Sequence, residues 1–189
     1  MIIGLDELTG RVIALCWFIF LVVWAVSALF VKRTIERRFG WWLPTLVAVM
    51  VVYPVVRRTP GLQQELWPPT AAIGALADLL TVAGLAFTLW ARAALGSNWS
   101  GTITFKEGHE LIQRGPYAYV RHPIYSGLLL MGLGTAVASG RLGSFVLLGT
   151  WFLFLAIKAR FEEQLMTRHF PEAYPEYRRR VKALIPGVW

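Results

Sequence analysis

The chain has 189 residues, 56% hydrophobic and 16% charged, with a formal net charge of +8 and a mean hydropathy of +0.53. This apolar excess excludes an ordinary soluble domain of the same length. The basic residues flank apolar blocks instead of forming an arm of their own, which fits topology determinants and contacts to anionic membrane lipids and argues against nucleic acid as a partner.

The first apolar block runs from Val12 to Val31 and is long enough to cross a bilayer. It follows Asp6 and Glu7 with no basic region before them, so the N-terminus does not read as a cleavable signal peptide. Cys16, the one cysteine, lies inside this block as a small buried hydrophobe, which leaves no intrachain disulfide and no cysteine spacing for a metal. Lys32, Arg33, Arg37 and Arg38 follow it directly. The second block, Trp41 to Val56, is short for a full span and carries Pro44 and Pro54. It crosses with Trp41 and Trp42 as interfacial anchors, or it kinks.

A polar loop rich in proline separates it from the third block, Thr70 to Leu95. Asp78 lies inside that block: an ionisable group in a span is a functional candidate, unless it sits near enough to the interface to stay wet. Gly74 and Gly84 allow close helix contact. The chain is then polar from Ser97 to Arg121, with Ile103-Thr104-Phe105 as a short extended piece. Two further blocks, Ile124 to Val137 and Leu142 to Ile157, are joined by only four residues and predict an antiparallel helical hairpin. On its first arm Gly127, Gly132 and Gly134 admit a partner backbone or a flat ligand. The tail continues the fifth helix outward, breaks at Pro171 and Pro175, and forms a short basic helix that ends at Pro186-Gly187.

The expected fold is therefore all-α: a single polytopic membrane domain with five transmembrane helices, the last two a hairpin, and a cytoplasmic helical tail. Residues 1–95 supply three spans and residues 96–189 the binding half. With the N-terminus outside, 15 of the 19 Lys and Arg residues fall on the inner side, which predicts an N-out, C-in topology.

The stretch LIQRGPYAYVRHPIYSG, Leu111 to Gly127, separates the third and fourth blocks. Gly115-Pro116 marks a turn, and Pro123 suits the first helical position. That places Arg121 and His122 at a helix mouth, where anionic groups are favoured. An interfacial anchor is the simpler reading of its Tyr and Arg residues, but it does not explain Gly-Pro, His-Pro and three tyrosines packed together. Equal hairpin arms bring Tyr119, Arg121, His122 and Tyr125 to the same depth as Arg160, Glu162 and Glu163. Paired carboxylates beside an apolar helix end need partners, and Arg121, His122 or a cationic ligand are the candidates. A plain solvated helix face is the alternative for Glu162 and Glu163.

GPYAYVRHPIYSG, preceded by HELI and followed by a hairpin and FEEQLMTRHFPEAYPEYRRRVKALIP, resembles the isoprenylcysteine carboxyl methyltransferase family. The phosphatidylethanolamine N-methyltransferases share its C-terminal half. The resemblance covers about Gly96 to Pro186, with Pro171 standing where many relatives carry Gly. It implies S-adenosylmethionine as cofactor and a lipophilic or lipidated methyl acceptor, with no metal. His109 and Leu111 would line the adenine side, and Tyr119, His122 and Tyr125 the body of the cofactor. Glu162 and Glu163 would reach its ribose hydroxyls or ammonium. For an isoprenylcysteine-type carboxylate acceptor, Arg121 would supply a bidentate fork; for a phospholipid amine, His122 or Glu163 would serve as base. Arg121 and Glu163 are thus the catalytic candidates. Arg121 paired with Glu162 or Glu163, merely closing the hairpin, is the structural alternative. NADPH-dependent sterol-type reductases look similar at the RHP-x-Y motif, but they would need a longer polar region.

Overall fold

A computed structural model describes residues 5–30, 34–37, 42–96, 104–106 and 111–187. In chain order these form α1 (Leu5–Ser27), β1 (Thr34–Arg37), α2 (Trp42–Arg58), α3 (Ala71–Leu95), β2 (Thr104–Lys106), α4 (Pro123–Ser139), α5 (Leu142–His169) and α6 (Ala173–Arg180). The all-α expectation needs one correction. β1 and β2 pair in a short antiparallel ladder, Thr34 opposite Lys106 and Arg37 opposite Thr104. The extended piece near Thr104 was legible; its partner was not, because Thr34–Arg37 reads as part of a basic loop.

Three helical stretches, Glu7–Phe30, Ala71–Leu95 and Leu142–His169, are long and apolar enough to cross a membrane, and α4 is a shorter apolar helix. Large hydrophobic side chains face outward on them: Phe18, Leu21, Leu29, Phe30, Leu79 and Leu153 are all more than half exposed. Outward apolar surface on this scale is stable only in lipid, so the chain is an integral membrane protein.

The connections sort the helix ends into two sets. At one end the ladder joins the chain after α1 to the chain after α3. Buried Arg92, near the end of α3, donates to the carbonyls of Gly96 (2.7 Å) and Ser27 (3.4 Å), tying the same two ends together. At the other end the α2–α3 connection meets the hairpin turn: Leu66 N–H donates to Gly140 O (2.7 Å) and Leu142 N–H to Gln64 O (3.2 Å). Gly140 closes α4 in the left-handed conformation at φ +62, where a side chain would be strained. Successive helices therefore alternate in direction.

The hairpin is present, but the closest partner of α4 is α3. A Cβ on Gly127 would lie 2.7 Å from the backbone oxygen of Gly84, and one on Gly134 would lie 2.6 Å from that of Ala77. These small residues let two backbones meet, so the space at Gly127 and Gly134 belongs to a helix and not to a flat ligand. Gly132 faces Trp151 and Leu148 of α5 instead. Cys16 of α1, Leu85 of α3, and Leu128 and Met131 of α4 form one buried cluster, so both halves of the chain share a core. Asp78 is partly buried; Thr9 of α1 donates to its Oδ2 at 3.5 Å.

Candidate active site

Gly115, at φ +62, turns the chain back against Trp90, near the end of α3. Pro116 and Tyr117 are buried there, and the N–H groups of Tyr119 and Val120 close the turn on Pro116 O (3.1 and 3.2 Å). His122 then caps α4 with Pro123 in the first turn, as the missing proline N–H permits.

The tail returns to this segment. Helix α5 continues through His169, three turns beyond its apolar part. After α6 the chain runs extended: Arg121 N–H donates to Lys182 O (2.8 Å) and His122 N–H to Ala183 O (3.0 Å). Ser126 Oγ donates to Leu184 O (2.6 Å), and Tyr177 Oη to Tyr117 O (2.6 Å). Ala183 and Leu184 pack with Tyr125, Leu155 and Ala159 in a second buried cluster. The basic helix ends at Arg180, six residues before the Pro186-Gly187 stop expected from sequence, because residues 181–184 are needed as this strap.

Under the strap lies a cluster of charges. Arg121 and Glu163 are each 8% exposed, with Arg121 Nη2 at 2.6 Å and Nε at 2.8 Å from Glu163 Oε1. Arg121 Nη1 donates to the carbonyls of Arg178 (3.3 Å) and Val181. His122 Nε2 stands 3.2 Å from Glu163 Oε1, and its Nδ1 stands 3.6 Å from Glu162 Oε2. Tyr125 Oη donates to Glu162 Oε1 (2.6 Å), and its ring lies parallel to that of His122 within 2°. Lys158 Nζ approaches Glu162 at 3.9 Å and lies over the Tyr125 ring. Arg178 Nε reaches Glu163 Oε2 at 3.4 Å. Burial pushes the phenol of Tyr117 well above its ordinary value, with Tyr177 and Glu162 acting in the same direction. Burial likewise raises Tyr174, which lies beside Glu163 and Arg121, and Tyr177.

Of the residues singled out from sequence, Arg121, His122, Tyr125, Glu162 and Glu163 come together. Tyr119 does not: it is 63% exposed, with its ring 6.4 Å from that of Trp90. Leu111 is half-buried in the segment leading to the Gly115 turn. His109 lies outside the described residues. Sequence reasoning missed Lys158 and Arg178. The first was visible as an i,i+4 partner of Glu162; the second is hidden in the run Arg178-Arg179-Arg180, where no spacing distinguishes it. Among the described residues no group of three or more His, Cys, Asp or Glu side chains could hold a metal ion.

Comparison with known proteins covers this same region. The family described as Phospholipid methyltransferase matches residues 72–173, which include α3, the Gly115 turn, α4 and α5. The nickel-cobalt-cadmium resistance protein NccN of Alcaligenes xylosoxydans xylosoxydans is 34% identical over 115 residues, 59% of this chain and 52% of that protein. Protein-S-isoprenylcysteine O-methyltransferase B of Arabidopsis thaliana is 27% identical over 149 residues, 77% of this chain and 73% of that one. Among solved structures, the eukaryotic intramembrane Ras methyltransferase, isoprenylcysteine carboxyl methyltransferase, superposes with a TM-score of 0.57 at 18% identity, covering 87% of this chain and 52% of that one. The chain thus spans about half the length of NccN and of the solved structure. With the match covering more than half its length and both arms of the hairpin, the chain belongs to the phospholipid methyltransferase family and has the isoprenylcysteine carboxyl methyltransferase fold.

Proposed function

We propose that the chain transfers a methyl group from S-adenosylmethionine to the carboxylate of a lipophilic, isoprenylcysteine-type acceptor at the membrane surface. The exposed cation of the cluster carries this reading. Two carboxylates, Glu162 and Glu163, meet Arg121, Lys158 and Arg178. Of these three cations Arg178 has a side chain more than half exposed, at 61%, and an anionic acceptor head is suited to meet it. When bound, S-adenosylmethionine supplies a methyl group on a sulfonium, open to in-line displacement. Glu162 is suited to hold the ribose hydroxyls or the ammonium: it is 23% exposed, and the nearest partner of its Oε2 is His122 at 3.6 Å. The parallel His122 and Tyr125 rings offer a flat wall beside it. A carboxylate acceptor is already ionised at neutral pH, so these residues need only bind, orient and exclude water.

An amine acceptor is the second reading, since the family is described by phospholipid methylation. It needs a base. Glu163, the obvious one, already has Arg121, His122 and Arg178 on its two oxygens, and this favours the carboxylate. The alternating helices and the 15-to-4 division of basic residues support five crossings, with the N-terminus outside and the site cytoplasmic.

The test is ligand-dependent thermal stabilisation of the purified protein. S-adenosylhomocysteine at 100 times its Kd should add about 2.7 kcal/mol, and NADPH nothing. Labelled methyl should then appear on an S-prenylated N-acetylcysteine and not on phosphatidylethanolamine. Stabilisation by NADPH alone would sink the methyl-transfer reading; methyl on the amine lipid alone would sink the choice of acceptor.

A further inference from the structure

We propose that Arg178 of α6 receives the carboxylate head of the acceptor, while Arg121 positions Glu163 beneath it. This deepens the methyl-transfer reading and rests on it.

Sequence position alone favours Arg121 as the acceptor's fork, because it stands at the helix mouth on a long stem. Its surroundings do not leave it that freedom. The side chain is 8% exposed. Nε and Nη2 are spent on Glu163 Oε1, and Nη1 on the carbonyls of Arg178 and Val181. A carboxylate could reach this guanidinium only by displacing Glu163 or the strap, leaving a buried charge without its partner.

Arg178 stands on the other side of the same carboxylate. Its Nε faces Glu163 Oε2 at 3.4 Å, yet its side chain is 61% exposed. Among the described residues Glu163 is the one ionic partner of its guanidinium, so the edge formed by the two terminal nitrogens remains available for a planar oxyanion. A guanidinium binds a carboxylate through two parallel N–H groups. Held from behind by Glu163, the Arg178 plane is partly fixed before the acceptor arrives, which lowers the ordering cost of binding.

The other cations near the mouth are less suited. Lys158 is 13% exposed and lies over the Tyr125 ring. Arg180 is engaged by Glu176 at 3.8 Å and by Gln113 at 3.0 Å. Arg178 also links acceptor to cofactor. Its partner Glu163 touches His122, and His122 faces Glu162, the carboxylate proposed to hold the cofactor. The acceptor's charge is thus met where the cluster is open.

The experiment compares Arg178→Ala, Arg178→Lys and Arg178→Glu with Arg179→Ala as control, each purified into phosphatidylcholine nanodiscs. Binding of S-farnesyl-N-acetylcysteine and of its neutral methyl ester is measured without cofactor, S-adenosylhomocysteine affinity by calorimetry, and methyl transfer by label. Losing a charge-assisted fork should weaken binding of the free acid about tenfold or more in Arg178→Ala. The loss should be larger in Arg178→Glu and partly recovered in Arg178→Lys. Acceptor KM should rise in step, with S-adenosylhomocysteine affinity, ester binding and Arg179→Ala unchanged. Equal loss of acid and ester, or equal loss of S-adenosylhomocysteine affinity, would overturn the assignment. So would a loss confined to retention on phosphatidylglycerol vesicles, which would mean that Arg178 serves lipid phosphate. Methyl transfer by wild type that is matched by Arg178→Ala sinks this assignment alone; a wild type that binds neither S-adenosylhomocysteine nor acceptor sinks the methyl-transfer reading itself.

Discussion

Arg121→Ala should weaken the whole tail attachment. The substitution removes one member of an ion pair in which both side chains are 8% exposed, together with donors to two strap carbonyls. Breaking a buried pair by removing one partner costs about 3–5 kcal/mol. Glu163 keeps His122 at 3.2 Å and Arg178 at 3.4 Å, which argues for the lower end. For a chain of this size that corresponds to a fall in melting midpoint of roughly 6 to 20 °C. Arg121→Lys retains the charge but cannot reach Glu163 and the strap together, so it should fall in between. Thermal unfolding in detergent gives the magnitude, and hydrogen exchange gives the cause. The Arg121 and His122 amides donate to Lys182 O and Ala183 O, and should lose protection first if the strap loosens. Losses in S-adenosylhomocysteine affinity and in turnover should accompany each other. A variant that melts within 2 °C or so of wild type, keeps amide protection and loses only acceptor turnover would refute this reasoning and return Arg121 to the role of acceptor ligand.

Gly127→Ala should be destabilising by about 1–3 kcal/mol, because its Cβ would meet the Gly84 carbonyl oxygen at 2.7 Å; Gly149→Ala, with nothing within 4 Å, should be neutral in the same melting assay. Alkaline titration followed by tyrosinate absorbance should show Tyr117, Tyr174 and Tyr177 silent until the fold opens. Burial raises all three in the folded state and an unfolded phenol ionises near pH 10, so their stabilising contribution is intact below that pH and declines above it. In a Cys16→Ser background, Thr59→Cys should react with an impermeant reagent on intact cells and Arg179→Cys only after permeabilisation; the reverse pattern would overturn the N-out, C-in topology.

The geometry of the candidate site was legible where spacing encodes it. Pro123 fixed the start of α4, and the short connection between the apolar blocks fixed the hairpin. Equal arm lengths then placed Glu162 and Glu163 opposite His122. What spacing does not encode is competition among partners. Arg121 had a carboxylate, two carbonyls and an incoming acceptor to choose from, and the outcome depends on the strap at 181–184, whose sequence shows no strand pattern. The pairing of α4 with α3 was equally hidden. Gly127 and Gly134 announce a close neighbour, a backbone or a flat ligand, but do not name it. Tyr119, next to the Gly115 turn, was drawn into the candidate site by proximity to Arg121 and His122, yet it stands exposed against Trp90.

The arrangement also shows what the hydrophobic arms contribute to a polar site. Helix α5 has 28 residues and α4 has 17, a difference of roughly 16 Å in length at 1.5 Å per residue. The excess, residues 159–169, is the overhang that returns the chain through α6 and the strap. Glu162 and Glu163 sit about one turn into it, against His122. Each residue added to one arm would turn everything beyond it by about 100° and advance it by 1.5 Å, removing Glu163 from Arg121, His122 and Arg178 at once. The outward-facing Leu142, Val146, Leu153 and Ile157 are replaceable in kind, whereas Trp151, Phe152 and Phe154 pack against the core. The number of residues in the arm is not replaceable, because it sets the depth and the angle at which two adjacent carboxylates meet the cations from the other end of the hairpin.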